Sequence, residues 1–416
     1  MPECSPKVVS FPQESVLDPL EEVLRRGARE LLAQAVEQEV SEYLASRADL
    51  VDAEGRRQVV RNGYLPAREL QTPLGGVTVQ QPRVRDRRSP DQREVFHSKL
   101  LPPYLRRTRS LEELIPWLYL KGVSTGDFSE ALQALLGEGA AGLSATTITR
   151  LKASWQKDFE DWSRRSIRTK NYVYLWADGV YFNVRLESAE NQRQCILVLI
   201  GATAEGRKEL VAVVDGVRES EASWREVLLG LKQQGLTIPP KLAIGDGAMG
   251  FWAALSKVYP TTRQQRCWVH KTANLLNHFP KAVQPRAKEK IQAIWMAETH
   301  EDALLAFDAF VETYEPKYPK AVQSLEKDRD ELLAFYDFPA EHWRHIRTSN
   351  PIESTFATVR LRTKRTKGCG SRIACLTMVH RLCLSAQKKW RALNGAQLLA
   401  EVVQGTRFQD GIKLAA

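Results

Sequence analysis

YVYLWADGVYFNVR (residues 172–185) is the stretch on which the fold turns. Beyond Asp178 its residues alternate, with Val180, Phe182 and Val184 on one face and Tyr181, Asn183 and Arg185 on the other. That is the period of a half-buried β-strand. Working outward, CILVLIGAT (195–203) is a continuous apolar run, and LVAVV (210–214) follows a polar turn. The pattern then predicts a helix around 220–234 capped by Ser220, a strand KLAIG (241–245), and a helix starting just after Asp246. TRQQRCWV (262–269) reads as one more strand.

Three antiparallel strands, a helix, a strand, a helix and a strand is the order of a ribonuclease H-like domain, an α/β fold. In that architecture acids lie on the first strand, after the fourth strand and on a later helix. Asp178, Asp246 and Glu353 stand at those places. Converging carboxylates of this kind can hold a pair of Mg²⁺ ions, as in nucleases and polymerases, and Mn²⁺ can substitute. Each acid also has an ordinary explanation. Asp178-Gly179 fits a hairpin turn, Asp246 fits a helix cap, and Glu353 fits a capping box with Asn350 and Pro351. Their coincidence with the sites of one metal-binding fold favours the functional reading. The gap between Asp246 and Glu353 is filled by a helical pattern over 273–345, read as an all-helical insertion. The catalytic domain is therefore expected in two parts, 171–272 and 346–416.

Charge points to the partner. The net charge is +10, but Arg56–Arg109 alone holds thirteen Lys or Arg against four Asp or Glu, and Arg344–Arg372 eight against one. The remainder is thus net acidic, and two concentrated basic windows suit a polyanion such as double-stranded DNA. Arg61, Arg83 and Arg85 in the first window, and Arg360, Arg362, Lys364, Arg365 and Lys367 in the second, are the candidate phosphate contacts. Glu353, Ala357, Arg360 and Lys364 share one helix face beside an apolar stripe of Ile352, Phe356 and Val359. No apolar run reaches the length of a membrane span and no signal peptide opens the chain, so a cytoplasmic, nucleoid-associated protein is expected. The six irregularly spaced cysteines give no disulfide framework.

Upstream of the strands, residues 1–54 read as an amphipathic helix with Leu20, Leu24, Ala28, Leu31 and Ala35 at helical spacing, suited to dimerisation or end recognition. Residues 55–109 read as a basic segment rich in short strands and turns. Residues 110–165 read as a helix-turn-helix-like block whose helices are capped by Ser110, Ser124 and Ser144. Its last helix would present Thr146, Thr147, Thr149 and Arg150 to DNA. Three-helix bundles without any DNA role are common, so the adjoining basic window matters to this reading.

Taken together, RNGYLPAREL (61–70), PRVRD (82–86), LYLKGVSTGDFSEALQALLG (118–137), ADGVYFNVR (177–185), GDGAMGFWAAL (245–255), QRCWVHKTANLLNHFP (265–280) and IRTSNPIESTFATVRLRTKRTKG (346–368) resemble the Mutator-type transposases of bacterial insertion sequences. The resemblance runs from about residue 55 to the C-terminus in the family's motif order. It implies a DDE transposase acting on terminal inverted repeats and target DNA, with at least a homodimer on DNA, and with Asp178, Asp246 and Glu353 as the metal-binding acids. Cys267 and His270 match the family's C-x-x-H motif, with Asn274 one helical turn on. A C-x-x-H pair would also suit zinc, but no nearby second pair completes four ligands. His270 is therefore read as an active-site helper. Trp343 matches an insertion-domain tryptophan that would stack on an unpaired base, with core packing as the alternative. Cys369, Cys375, His380 and Cys383 lie among Ile373, Leu376, Val379 and Leu382 and read as a buried helix, not a zinc site.

Two other readings remain open. A DNA-binding regulator or inactive transposase relative would use the basic windows and helices alone, although all three acids are present. A nuclease or resolvase of the same fold would cleave without strand transfer.

Overall fold

In the computed structural model, which describes residues 19–108, 110, 111, 114, 118, 120, 145–184, 193–216, 218–247, 249–365, 369 and 371–414, the chain divides into two units, Met1–Ile148 and Thr149–Ala416.

The first unit opens on a 27-residue helix, α1 (Pro19–Ala45). Along it Leu20, Leu24 and Leu31 are exposed, whereas Val36 and Val40 are buried. The reason lies in what the helix meets. Val36 and Leu32 pack into a small core with Leu70, Val77, Val79 and Leu101, which offers apolar surface only to the C-terminal half of α1. Two antiparallel pairs supply that core. β1 (Val59–Tyr64) pairs with β4 (Pro82–Asp86), and β2 (Arg68–Thr72) with β3 (Gly75–Val79). Gly75 turns the second hairpin at φ 93°, a left-handed conformation that favours glycine. Most of the expected helical block before residue 145, with the caps Ser124 and Ser144, lies outside the described residues; its last helix is α2 (Ala145–Ser163).

In the second unit the apolar runs form one five-stranded sheet in the order β7-β6-β5-β8-β9. β5 (Tyr172–Asn183), β6 (Arg193–Thr203) and β7 (Lys208–Gly216) are antiparallel; β8 (Leu242–Gly245) and β9 (Arg263–Arg266) run parallel to β5. Helices α3 (Glu221–Gln234) and α4 (Met249–Val258) cover one face, where Leu175, Ala177, Leu197 and Leu199 meet Trp224, Leu228, Phe251 and Leu255. Ser220 caps α3, its hydroxyl accepting the Ser223 N–H. The stretch after β9 is helical: α5 (Trp268–Leu276), α6 (Gln284–Met296), α7 (His300–Tyr314), α8 (Pro319–Glu326), α9 (Arg329–Leu333), a 3₁₀ turn (Ala334–Asp337) and α10 (Ala340–Ile346). It has its own core of Ile291, Phe307, Phe310, Leu325, Leu332 and Phe335. The other face of the sheet meets α10, through Tyr174 Oη to His342 Nδ1 at 2.7 Å and Trp176 Nε1 to the His345 carbonyl at 3.0 Å. α11 (Asn350–Arg365) lies against β5 and β6, and α12 (Arg372–Gln387) along β7.

Two expectations are corrected. Asp178-Gly179 is no hairpin turn, because it lies inside the 12-residue β5. The run 262–269 is not all strand: pairing stops at Arg266, and the Trp268 N–H donates to the Arg347 carbonyl at 3.1 Å as α5 begins. Among the described residues no helix is long and apolar enough to cross a membrane. Cys195, Cys267, Cys369, Cys375 and Cys383 are buried.

Candidate active site

Register makes two of the acids neighbours. Ala177 of β5 lies opposite Gly245 of β8, and Gly245 lies opposite Arg266 of β9. The next residues are Asp178, within β5, and Asp246 and Cys267, which follow the last residues of β8 and β9, so the three form a row where the two shorter parallel strands end. Ligand sites of open α/β sheets form at that edge. Pairing with Val198 of β6 keeps Asp178 within extended backbone, and its Oδ1 accepts the Gly179 N–H at 2.8 Å. Burial above all pushes the Asp178 carboxyl up to about 7, with Glu219 and Asp246 adding to the rise and His270 opposing it. Asp246 is anchored through its carbonyl, which accepts from Trp252 Nε1 at 2.9 Å and Arg266 Nη1 at 3.1 Å.

Glu353 enters from the first turn of α11. Its position depends on Ser349, which is fully buried. Ser349 Oγ lies 2.8 Å from Glu353 Oε1, 3.1 Å from Cys267 Sγ and 3.2 Å from His270 Nδ1. The Ser349 N–H donates to Cys267 Sγ at 3.2 Å, and its carbonyl accepts the Ile352 and Glu353 N–H groups at 2.9 and 3.1 Å. The expected capping box with Asn350 is thereby corrected: Ser349 is the residue that satisfies this helix start. His270 Nδ1 stands 3.6 Å from Glu353 Oε1. The hydrogen bond to Cys267 is the main reason its pKa is pushed up to about 9, helped by the charges of Asp246 and Glu353 against the cost of burial. That shift favours the imidazolium form of His270, placed among the carboxylates.

Donor atoms of Cys267, His270 and Glu353 all lie within 4.8 Å of one another. The Ser349 hydroxyl fills the middle of that group, which makes it a hydrogen-bonded cluster that holds Glu353 in place. Carboxylate oxygens, by contrast, are hard donors of the kind Mg²⁺ takes. Gly179 supports that fit. A Cβ there would lie 2.5 Å from Glu219 Cδ, so the missing side chain leaves a cradle occupied by another carboxylate. Glu219 was not singled out by the sequence. Its signals are an acid directly before the Ser220 cap and a glycine directly after Asp178. Burial first, and then Asp246, raise its pKa.

The other candidates scatter. Asn274 is exposed on α5, one turn beyond His270. Arg360 is exposed on α11 with its guanidinium carbon 5.9 Å from the Phe356 ring centroid. Arg362, Lys364 and Arg365 also lie on α11, with side chains outside the described ones, as does that of Thr147 on α2; Lys367 is outside the described residues altogether. Arg150, Arg83 and Arg85 are exposed. Arg61 is not a free cation, since it pairs with Glu37 at 2.7 Å. Trp343 packs edge-on against Phe335 and Tyr336, and its indole N–H donates to the Phe338 carbonyl at 2.8 Å. That geometry is the core-packing reading of this tryptophan, which is only partly buried.

The sheet thus presents two carboxylates at adjoining strand positions and a third on a helix, and comparison with known proteins is specific about the family. The model of the Mutator family of transposases matches residues 3–392, and the chain belongs to that family. It is 54% identical over 283 residues to the transposase for insertion sequence element IST2 of Acidithiobacillus ferrooxidans, covering 68% of this chain and 95% of that relative. It is 51% identical over 301 residues to the transposase for IS6120 of Mycolicibacterium smegmatis, covering 72% and 92%.

Proposed function

We propose that this transposase is a DDE enzyme: a ribonuclease H-like catalytic domain with a helical insertion, which cleaves and joins DNA strands at terminal inverted repeats using two Mg²⁺ ions. The observation that carries this reading is the register of β5 and β8, which makes Asp178 and Asp246 neighbours on the side of the sheet edge that Glu353 approaches. The sheet order, three antiparallel strands extended by two parallel ones, supports the fold assignment.

Asp178, Asp246 and Glu353 would hold the ions. Bound there, a divalent pair supplies Lewis-acid activation of the attacking oxygen and stabilisation of the departing one. The chain's own residues do the positioning. Strand pairing fixes Asp178, the carbonyl anchors fix Asp246, and Ser349 with Cys267 fixes Glu353. His270 contributes a positive charge beside them, suited to a scissile phosphate. Nothing in this arrangement requires a covalent protein–DNA step, so water and a DNA 3′-hydroxyl can use the same site in turn. Exposed Arg83, Arg85, Arg150 and Arg360 are suited to the DNA backbone. Two transposon ends acting together call for a homodimer on DNA.

A strand-transfer assay with a pre-cleaved terminal-repeat duplex tests the transposase reading. Joining of the labelled end to target DNA in Mg²⁺, absent in EDTA, is expected. Metal-dependent nicking with no joining would favour a nuclease or resolvase. Tight binding with neither reaction would favour a regulator.

A further inference from the structure

Glu219 precedes α3, the helix that covers the sheet face opposite Glu353, yet it reaches the same strand edge. Two glycines make this possible. At Gly179, a Cβ would lie 2.5 Å from Glu219 Cδ and 2.6 Å from its Oε1, so the carboxylate occupies the space where any other residue's side chain would begin. At Gly250, a Cβ would lie 2.5 Å from the Glu219 carbonyl oxygen, so this α4 glycine lets the Glu219 backbone come close. Tyr181, two residues beyond Gly179 on β5, places its hydroxyl 3.5 Å from the Glu219 N–H, and Ser220 fixes the turn by capping α3. Strand, turn and both helices thus converge to hold one carboxylate over the residue that follows Asp178.

We propose that Glu219 is a fourth carboxylate of the metal site, reaching the ions from the side of the sheet opposite Glu353. This rests on the metal-site reading of Asp178, Asp246 and Glu353 given above. Two arguments support it. The Asp178 carboxylate is tied to the Gly179 N–H at 2.8 Å, and Glu219 lies over the same glycine, so the two carboxylates flank one residue of β5. A fourth carboxylate also offsets more of the positive charge that a divalent pair and His270 would bring together there. The requirement for glycine after Asp178 follows directly.

The test is calorimetric titration of Mn²⁺ into the full-length protein bound to a terminal-repeat duplex, comparing wild type, Glu219→Gln, Gly179→Ala and Asp246→Asn. Melting in EDTA serves as the folding control. Glu219→Gln, and Gly179→Ala through its methyl group, are expected to weaken Mn²⁺ binding about tenfold or more, or to remove one binding event, as losses around metal sites generally do. Glu219→Gln should melt as wild type does in EDTA. Wild-type Mn²⁺ binding by both of these variants, with binding lost in Asp246→Asn, would overturn the role of Glu219 and leave the other three acids in place. Wild-type binding in Asp246→Asn as well, or no binding by the wild type, would overturn the metal site and Glu219 with it.

Discussion

Asp178 titrates near neutrality and His270 above it, and that difference gives the site a working pH range. The Asp178 carboxyl, held up to about 7 by burial, carries a proton below that pH and must lose it to bind a cation. His270, pushed up to about 9, keeps its positive charge below that pH; the stability its partners contribute is complete below its ordinary value and is lost as pH rises through about 9. Strand cleavage should therefore fall off on both sides. Because a divalent ion competes with the proton on Asp178, the acid limb should move to lower pH as Mg²⁺ is raised, while the alkaline limb stays. Rate profiles at two Mg²⁺ concentrations check this, and an acid limb indifferent to Mg²⁺ would contradict it. Asp178 and Asp246 were legible in the sequence because each ends an apolar strand run. Ser349 and Glu219 were not, since each matters only through partners far along the chain: Cys267 and His270 for one, Gly179 for the other.

At the scale of elements, α11 turns packing into chemistry. Ile352, Phe356 and Val359 are fully buried where the helix meets β5 and β6, and this apolar stripe sets where Glu353 arrives. Phe356→Ala should cost about 3–5 kcal/mol, the usual range for emptying a buried aromatic site. It should also depress cleavage beyond the loss of folded protein, because the helix that carries Glu353 loses its seat. Melting temperature and cleavage rate per folded molecule, with Phe356→Leu as the milder comparison, separate the two effects. The stripe, like the strands, was visible as apolar periodicity. The start of α5 was not, because Cys267, Trp268 and Val269 look like strand residues. What ends the strand is a long-range hydrogen bond from Trp268 to Arg347, which local pattern cannot reveal. In α1 the leucine spacing is real and Leu20, Leu24 and Leu31 are exposed, while the small core of the first unit takes in Leu32 and Val36.

For the molecule as a whole, charge and catalysis are assigned to separate residues. Arg83 and Arg85 alternate outward along β4 in the first unit and make no part of its core. If they contact phosphates, replacing both by Ala should weaken binding to any duplex alike and reduce the slope of log affinity against log salt by about two, roughly one per lost contact. Titrations at several salt concentrations read this directly, and an unchanged slope would remove them from the DNA-binding surface. The central claim is that Asp178, Asp246 and Glu353 form one metal-dependent cleavage site. The most direct measurement is nicking of a labelled duplex carrying the element's own terminal repeat, in Mg²⁺ and in EDTA, by wild type, Asp178→Asn and Glu353→Gln. Nicking at the repeat boundary by the wild type in Mg²⁺ alone, with near-total loss in both variants, is the predicted result. Wild-type nicking by either variant, or nicking that survives EDTA, would contradict the account.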